Sequence, residues 1–309
     1  MTDQTHLFIH KEPGDTPARR ASFSLSRLPD AATGWLLSLP LALILFFFLV
    51  LPIAMIVVVS FWGATEFSIY PAFQFENYEF LLTSPVTYKV FFNTLKYAFI
   101  TWAITLAIGF TVAYFLAFHV RTLTWQIVLF LLCTIPFWTS NIIRMISWIP
   151  FLGRNGIANS TLISMGVIDE PLDWLLFSDF SVILAFVHLY TLFMVVPIFN
   201  TMMRIDKSLI EAAYDNGASG LQTLTNVIIP LTKPGIMIGS IFVVTLVMGD
   251  FITVRFMSGS QSANVGRLIS NDIALLQYPS AAATAVILLV TVLLVISILL
   301  RFVDIRKEL

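Results

Sequence analysis

Apolar positions in this chain neither alternate with polar ones, as in a half-buried strand, nor keep to one face of a helix. They run together. Mainly apolar stretches extend over roughly residues 35 to 62, 92 to 118, 126 to 149, 180 to 203, 235 to 256 and 281 to 303, each as long as the about 20 residues that a helix needs to cross a hydrocarbon layer about 30 Å thick. Leu41 to Ile53 and Ala285 to Leu300 are apolar on every side, whereas a closed barrel would need many segments of about ten alternating residues. The pattern predicts an all-α polytopic membrane protein with six transmembrane helices. It divides the chain into a polar tail over 1–34, a membrane domain over 35–303 with a polar internal loop over 204–234, and a short tail over 304–309.

Composition agrees with that division. Of the 309 residues 58% are apolar and 11% charged, and the mean hydropathy is +0.89, more apolar surface than one water-soluble core hides. Positive charge is retained on the cytoplasmic side of a membrane. Residues 1–34, 119–125, 204–234 and 301–309 together carry eleven Lys and Arg, and the alternate loops hold only Lys89, Arg154 and Arg267. Both termini and the 204–234 loop are therefore expected in the cytoplasm. The N-terminal tail has Pro13, Pro17 and Pro29 and no short apolar core followed by a small-residue cleavage site, so the first helix is expected to be a retained anchor. Cys133, the one cysteine, lies inside a span. It excludes an internal disulfide and a cysteine-built metal centre and is expected in the core. The net charge of −1 identifies no partner, and neither a metal nor a nucleic acid is expected.

The 204–234 loop carries the most informative residues. Ser208 followed by Glu211 has the Ser-x-x-Glu spacing of a capping box, which predicts that a short helix of two or three turns starts there. Leu209, Ile210, Ala212 and Ala213 give it a small apolar face, and Gly217 suits the left-handed residue that ends such a helix. Small residues at 212, 213 and 217 to 219, Ala218 among them, allow a partner surface to approach closely. Pro230 and Pro234 bracket the start of the fifth span, where a missing backbone donor costs little. On its own, Glu211 fits a simple surface cap better than a docking role.

The full order, Glu211, Ala212, Ala213, Gly217, Val227, Ile229 and Pro230, resembles the cytoplasmic-loop signature of ABC importer permeases, with Val227 where the family has Ile and Ile229 where it has Leu. The resemblance implies a type I ABC importer permease fold. It also implies that the knob at 208–230 docks into a separate ATPase, with Ser208, Glu211, Ala212, Ala213, Gly217, Ala218 and Pro230 as the coupling residues. The chain has no Gly-x-x-x-x-Gly-Lys-Ser/Thr loop to cradle phosphates. The implied assembly is a second homologous permease, a heterodimer being favoured, with two copies of an ABC ATPase that bind ATP and Mg, and a periplasmic or extracellular solute-binding protein. This polypeptide would then be neither catalytic nor cofactor-bearing, and would sit in membrane lipid as a multi-pass protein of the bacterial inner membrane. The competing classes have less behind them. A secondary carrier would be expected to show repeated halves, a pore to show a filter or an Asn-Pro-Ala pair, and an intramembrane enzyme to give His119 or His188 an ordered catalytic neighbour.

Ionisable groups inside spans are costly and face a cavity or a partner. Arg144, Asp250 and Arg255 stand out. Straight helices starting at 126 and 235 would lift them about 27, 22 and 30 Å from the cytoplasmic side, all towards the outer leaflet. Arg144 and Asp250 fit either an ion pair between helices or with a sister subunit, or a substrate contact, and Arg255 fits snorkelling to the interface. The segment from Ile135 to Trp148 joins a helix-kinking Pro136 to Trp138, Thr139, Ser140, Asn141, Arg144 and Trp148, a composition suited to lining a translocation path. Pro136-Phe137-Trp138-Thr139 with the downstream Arg144 is similar to the corresponding span of spermidine/putrescine-type permeases. Gly249 to Thr253 and Asn155 to Asn159 strengthen that likeness, which covers residues from about 90 to 300. It implies that Trp138 and Trp148 offer aromatic faces to a polyamine, Asp250 a counter-charge, and Asn141, Ser140 and Thr139 hydrogen bonds. Arg144 would suit an anionic or zwitterionic solute better, so an amino-acid derivative, opine, phosphonate or metal complex stays open as the cargo. Gly235-xxx-Gly239 with Ser240, and Ala281 to Ala285, point to close helix packing. The 150–179 segment, with Gly153, Asn155, Gly156, Asp169, Glu170 and Asp173, is either a docking surface for a delivering protein or a solvated loop.

Overall fold

A computed structural model describes residues 30–65 and 68–301 of the protein. The expectations for the tails, 1–29 and 304–309 in particular, fall outside those residues. The chain divides into two compact units, Met1–Ile53 and Ala54–Leu309. In the first, the helix Asp30–Leu45 contains Pro40 and is followed by a π-helical turn over Phe46–Val50. Among the described residues five helices are long and apolar enough to span a membrane: Leu37–Val59, Pro85–His119, Asp179–Met202, Gly220–Gly249 and Tyr278–Arg301. A further bent pair, Leu123–Trp138 and Asn141–Ser164, occupies the place of the third span. The all-α architecture holds, apart from a two-stranded antiparallel hairpin that pairs Gly63 with Tyr70 and Ala64 with Ile69.

Three predicted spans change in the structure, each for a local reason. The third, expected as one helix over 126–149, bends by 88°. Pro136 lacks the donor that an α-helix needs there, so Ile135–Trp138 tighten into a 3-10 turn, and Thr139 and Ser140 then go extended at ψ 151° and 136°. Thr139 closes the turn by donating its hydroxyl to the Pro136 carbonyl at 2.8 Å. The fifth span, expected over 235–256, starts much earlier and ends sooner. Its helix begins at Gly220, so most of the segment expected as loop is helical. Ser219 and Gln222 form the capping box that starts it, the Ser219 N–H donating to Gln222 Oε1 at 2.8 Å. A π-helical turn over Leu224–Ile228 precedes Pro230, a place where the helix can absorb the missing donor. The helix stops at Gly249 because Asp250 turns extended, at φ −85° and ψ 107°. The second span is longer than expected, since Pro85 at its first turn costs no hydrogen bond.

The second, fourth and fifth spans share one core. Tyr97, Phe186, Met194, Ile198, Val243, Val247 and Met248 are at or near zero exposure. The fourth span is the most buried of the three and the sixth span lies at the margin. Lipid tails give no hydrophobic drive between helices, so small residues and close backbones hold such a bundle. Met194 shows how. A Cβ on Gly109 would lie 2.8 Å from its Cγ, and one on Gly239 would lie 2.7 Å from its Sδ. The side chain thus fills a slot that exists only between two glycines. Ser240 adds a polar tie, accepting from Trp102 Nε1 at 2.8 Å.

Candidate functional site

The exposed knob between the fourth and fifth spans is the helix Lys207–Asp215. Asp206 caps it, accepting from the Ser208 N–H at 3.0 Å. This replaces the expected Ser208–Glu211 box, because Ser208 already lies inside the helix and has no side-chain capping bond. The same Ser208 N–H, helped by the Ser208 side chain, holds the Asp206 carboxyl below the usual carboxylate range. At the other end Gly217, at φ 79°, takes the left-handed conformation. Its N–H donates to Tyr214 and that of Ala218 to Ala213, the paired bonds of a Schellman close. Ile205 and Ile210 pack on the core, while Leu209 and Tyr214 are about half exposed. Ser208, Glu211, Ala212 and Gly217 are exposed, with Ala213 and Ala218 partly so. Pro230 lies a full turn or more up the next helix, beyond the knob. The arrangement is a short amphipathic peg, anchored on one side and free on the other.

A second site forms where two spans break. The end of the fifth span and the segment after the Pro136 bend border a cleft of about 390 Å³, lined by Asn141, Tyr190, Thr245, Gly249, Asp250 and Phe251 among others. Asp250 is fixed by neutral donors only. The Tyr190 hydroxyl reaches Oδ2 at 2.6 Å, and Thr253 gives Oδ1 its N–H at 2.9 Å and Oδ2 its hydroxyl at 2.6 Å. Asn264 Nδ2 holds the Asp250 carbonyl at 2.7 Å. Among the described residues no basic side chain pairs with Asp250; the ion pairs there are Lys96–Asp179 and Arg154–Asp173. Of the alternatives open for Arg144 and Asp250, an ion pair between these two residues within the chain therefore does not form.

Arg144 turns elsewhere because the bend in the third span redirects it. It is 8% exposed, donates to the side chain of Asn141, and lines a different cleft with His188. The 88° bend overturns its height as counted along a straight helix. Trp148 donates its indole N–H to His188 Nδ1 at 3.0 Å. Trp138 is 85% exposed, and Thr139 and Ser140 are exposed at the bend. Of the seven predicted path residues, then, only Asn141 and Asp250 share a cleft, and its aromatic walls are Tyr190 and Phe251 instead of Trp138 and Trp148. Arg255 is exposed, and Cys133 is a free, half-buried thiol.

Several residues escaped the sequence reading. Tyr190 and Thr253 orient Asp250, yet both look like ordinary span residues, and only the spacing from Asp250 to Thr253 hinted at a cap. Lys96 was a clearer signal, a charge inside a span. It donates to Asp179 Oδ2 at 2.7 Å, while Ser262 donates to Asp179 Oδ1 at 2.8 Å and the buried Tyr97 hydroxyl donates to the same oxygen. That cluster ties the second and fourth spans to the loop before Val265. The 150–179 segment is more ordered than a plain loop, since fully buried Asn159 holds the carbonyls of Gly153 and Leu172 and the Leu172 N–H.

The geometry agrees with what the chain is similar to. Residues 125–308 match the family model described as binding-protein-dependent transport system inner membrane component. The spermidine/putrescine transport system permease protein PotB of Escherichia coli strain K12 is 36% identical over 251 residues, covering 80% of this chain and 88% of that protein. The protein of the same name from Haemophilus influenzae is 32% identical over 261 residues, 83% of this chain and 89% of that one. A chain of a bacterial alginate ABC transporter, crystallised in complex with an alginate pentasaccharide-bound periplasmic protein, superposes with a TM-score of 0.73 at 16% identity, over 90% of this chain and 97% of that chain. That likeness shows the fold alone. Spans, knob and family match agree on an inner-membrane, multi-pass transport permease, and the chain belongs to the family of binding-protein-dependent transport system inner membrane components, the ABC importer permeases.

Proposed function

We propose that this permease carries polyamines of the putrescine and spermidine type inward, as one of two homologous permeases driven by two copies of a separate ABC ATPase. A solute-binding protein delivers the cargo from outside, and both termini face the cytoplasm. The observation that carries the substrate class is Asp250. Its carboxylate is oriented by three neutral donors, has no cationic partner among the described residues, and faces a cleft. An ammonium group is the natural complement of such a site. The fifth span ends at Gly249 in the same cleft, so its last carbonyls and the negative end of its dipole also favour a cation. Tyr190 and Phe251 add aromatic faces for the methylene chain and the charge. The names of the relatives point to the same class of cargo.

Coupling follows from the peg. ATP-driven closure of the ATPase pair moves the two Lys207–Asp215 knobs, and the spans to which Ile205 and Ile210 anchor them follow. The cleft then alternates between outward and inward access, with no chemistry in this chain. The substrate reading is tested by Asp250→Asn in cells or vesicles that depend on this system for labelled spermidine uptake. Loss of one charge-assisted contact should lower uptake by about tenfold or more at limiting substrate. Uptake equal to wild type would remove Asp250 from the path.

A further inference from the structure

A second cleft, of about 300 Å³, lies around the Pro136 bend beside the fourth span and is lined by Val112 of the second span, Cys133, Phe137, Arg144, His188 and Thr191 among others. None of its lining residues is acidic. Arg144 stays charged in any protein, and here it is 8% exposed with its Nε buried and lacking an acceptor. Its one hydrogen bond goes to the neutral carbonyl of Asn141, and among the described residues no carboxylate lies within ion-pair distance. A guanidinium held this way inside a membrane domain needs a counter-charge.

His188 and Cys133 add donors to the cleft. Trp148 donates to His188 Nδ1, which assigns the proton of the neutral ring to Nε2 and leaves that N–H as a donor. The Cys133 thiol is a weak donor, whereas the Thr191 hydroxyl gives its proton to the Val187 carbonyl at 2.6 Å and offers none to the cleft. The remaining walls are apolar. Counting from Asp179, His188 and Val195 lie about 14 and 24 Å along a helix about 36 Å long, so the cleft is in the middle of the membrane, out of reach of lipid phosphates at the interface. We propose that this cleft binds one small monovalent anion, chloride in the first instance, which neutralises Arg144. It is distinct from the Asp250 cleft, with which it shares no lining residue.

The test uses the assembled transporter in lipid nanodiscs at constant ionic strength, with gluconate replacing chloride. Iodide should quench tryptophan fluorescence with a saturable component that chloride displaces and that disappears in Trp148→Phe, which identifies the reporter. Arg144→Gln should weaken the iodide affinity by about tenfold or more. Wild type should also melt at a higher temperature in chloride than in gluconate, a comparison that needs no variant. Quenching that is linear in iodide with one slope for wild type and Arg144→Gln, or melting indifferent to the anion, would overturn the proposal. The second result is also what an acidic residue of the partner permease paired to Arg144 would give.

Discussion

Gly235 is where the packing of the fourth and fifth spans can be tested by a single methyl group. A Cβ there would lie 2.5 Å from the Pro197 carbonyl oxygen, 2.5 Å from Thr201 Oγ1 and 3.0 Å from Ile198 Cα. The threonine can rotate, at the expense of its bond to the Pro197 carbonyl at 2.9 Å. The other two atoms are backbone, so Gly235→Ala must move the helices apart by up to about 1 Å at that level, and overpacking of this kind costs up to about 3 kcal/mol. Better helix propensity returns up to about 1 kcal/mol, leaving a net loss of about 2 kcal/mol. Gly249→Ala is the internal control, because nothing lies within 4 Å of a Cβ there. Thermal melting of the reconstituted transporter should place Gly235→Ala about 4 to 8 °C below wild type and Gly249→Ala close to it. Spermidine transport should fall with the first, since the same helix pair carries Tyr190 and Asp250. If the two alanine variants melt together, the close contact is not what holds these spans.

The remaining predictions concern the knob and the Asp179 cluster. Asp206→Ala removes the cap and should weaken ATPase association severalfold in a pull-down, whereas Ser208→Ala, which the sequence pattern alone would have ranked as worse, should leave it unchanged. Because the Asp206 carboxyl sits below its unfolded value, its contribution to the knob is full above the ordinary carboxylate range and is lost as pH falls through the depressed value. Helix content of the knob, followed by hydrogen exchange, should fall in acid in wild type and not in Asp206→Ala. Glu211 is exposed on the helix Lys207–Asp215, and its side chain takes no part in the cap. Glu211→Lys should therefore preserve membrane insertion and melting temperature while abolishing ATP-driven uptake. Asp179→Ala strands Lys96, the buried Tyr97 hydroxyl and Ser262 together. Discounted for the partial exposure of the pair, it should cost about 1 to 2 kcal/mol in melting experiments, more than Lys96→Met.

The sequence made the helical class and the approximate place of each span readable, because a run apolar on all faces has one stable form in lipid. It also made the knob readable as a unit, through Gly217 and the small residues around it. Which residue caps it was not readable, since Asp206 and Ser208 are both good caps two positions apart, and the geometry of the preceding turn decides between them. The early start of the fifth span was visible in the Ser219 and Gln222 pair, but the polar residues that follow disguised it as loop. The partition of the charged residues was hidden for a deeper reason. Pro136 announced a break without giving its angle, and the 88° turn separates Arg144 from Asp250 and leaves Trp138 outside the cleft. Tyr190 could be matched to Asp250 only once the fourth and fifth spans were packed, because contacts between helices depend on rotation about their axes, which hydropathy does not specify.

The central claim is that this permease delivers polyamines by coupling to an ATPase it does not contain. The direct measurement is ATP hydrolysis by the transporter reconstituted from this chain, its partner permease and its ATPase, with and without binding protein loaded with putrescine or spermidine. The account predicts strong stimulation by the loaded binding protein and little by the empty one, and no transport by this chain alone under an ion gradient. Failure to assemble with any ATPase, or ion-driven uptake by the isolated chain, would contradict it.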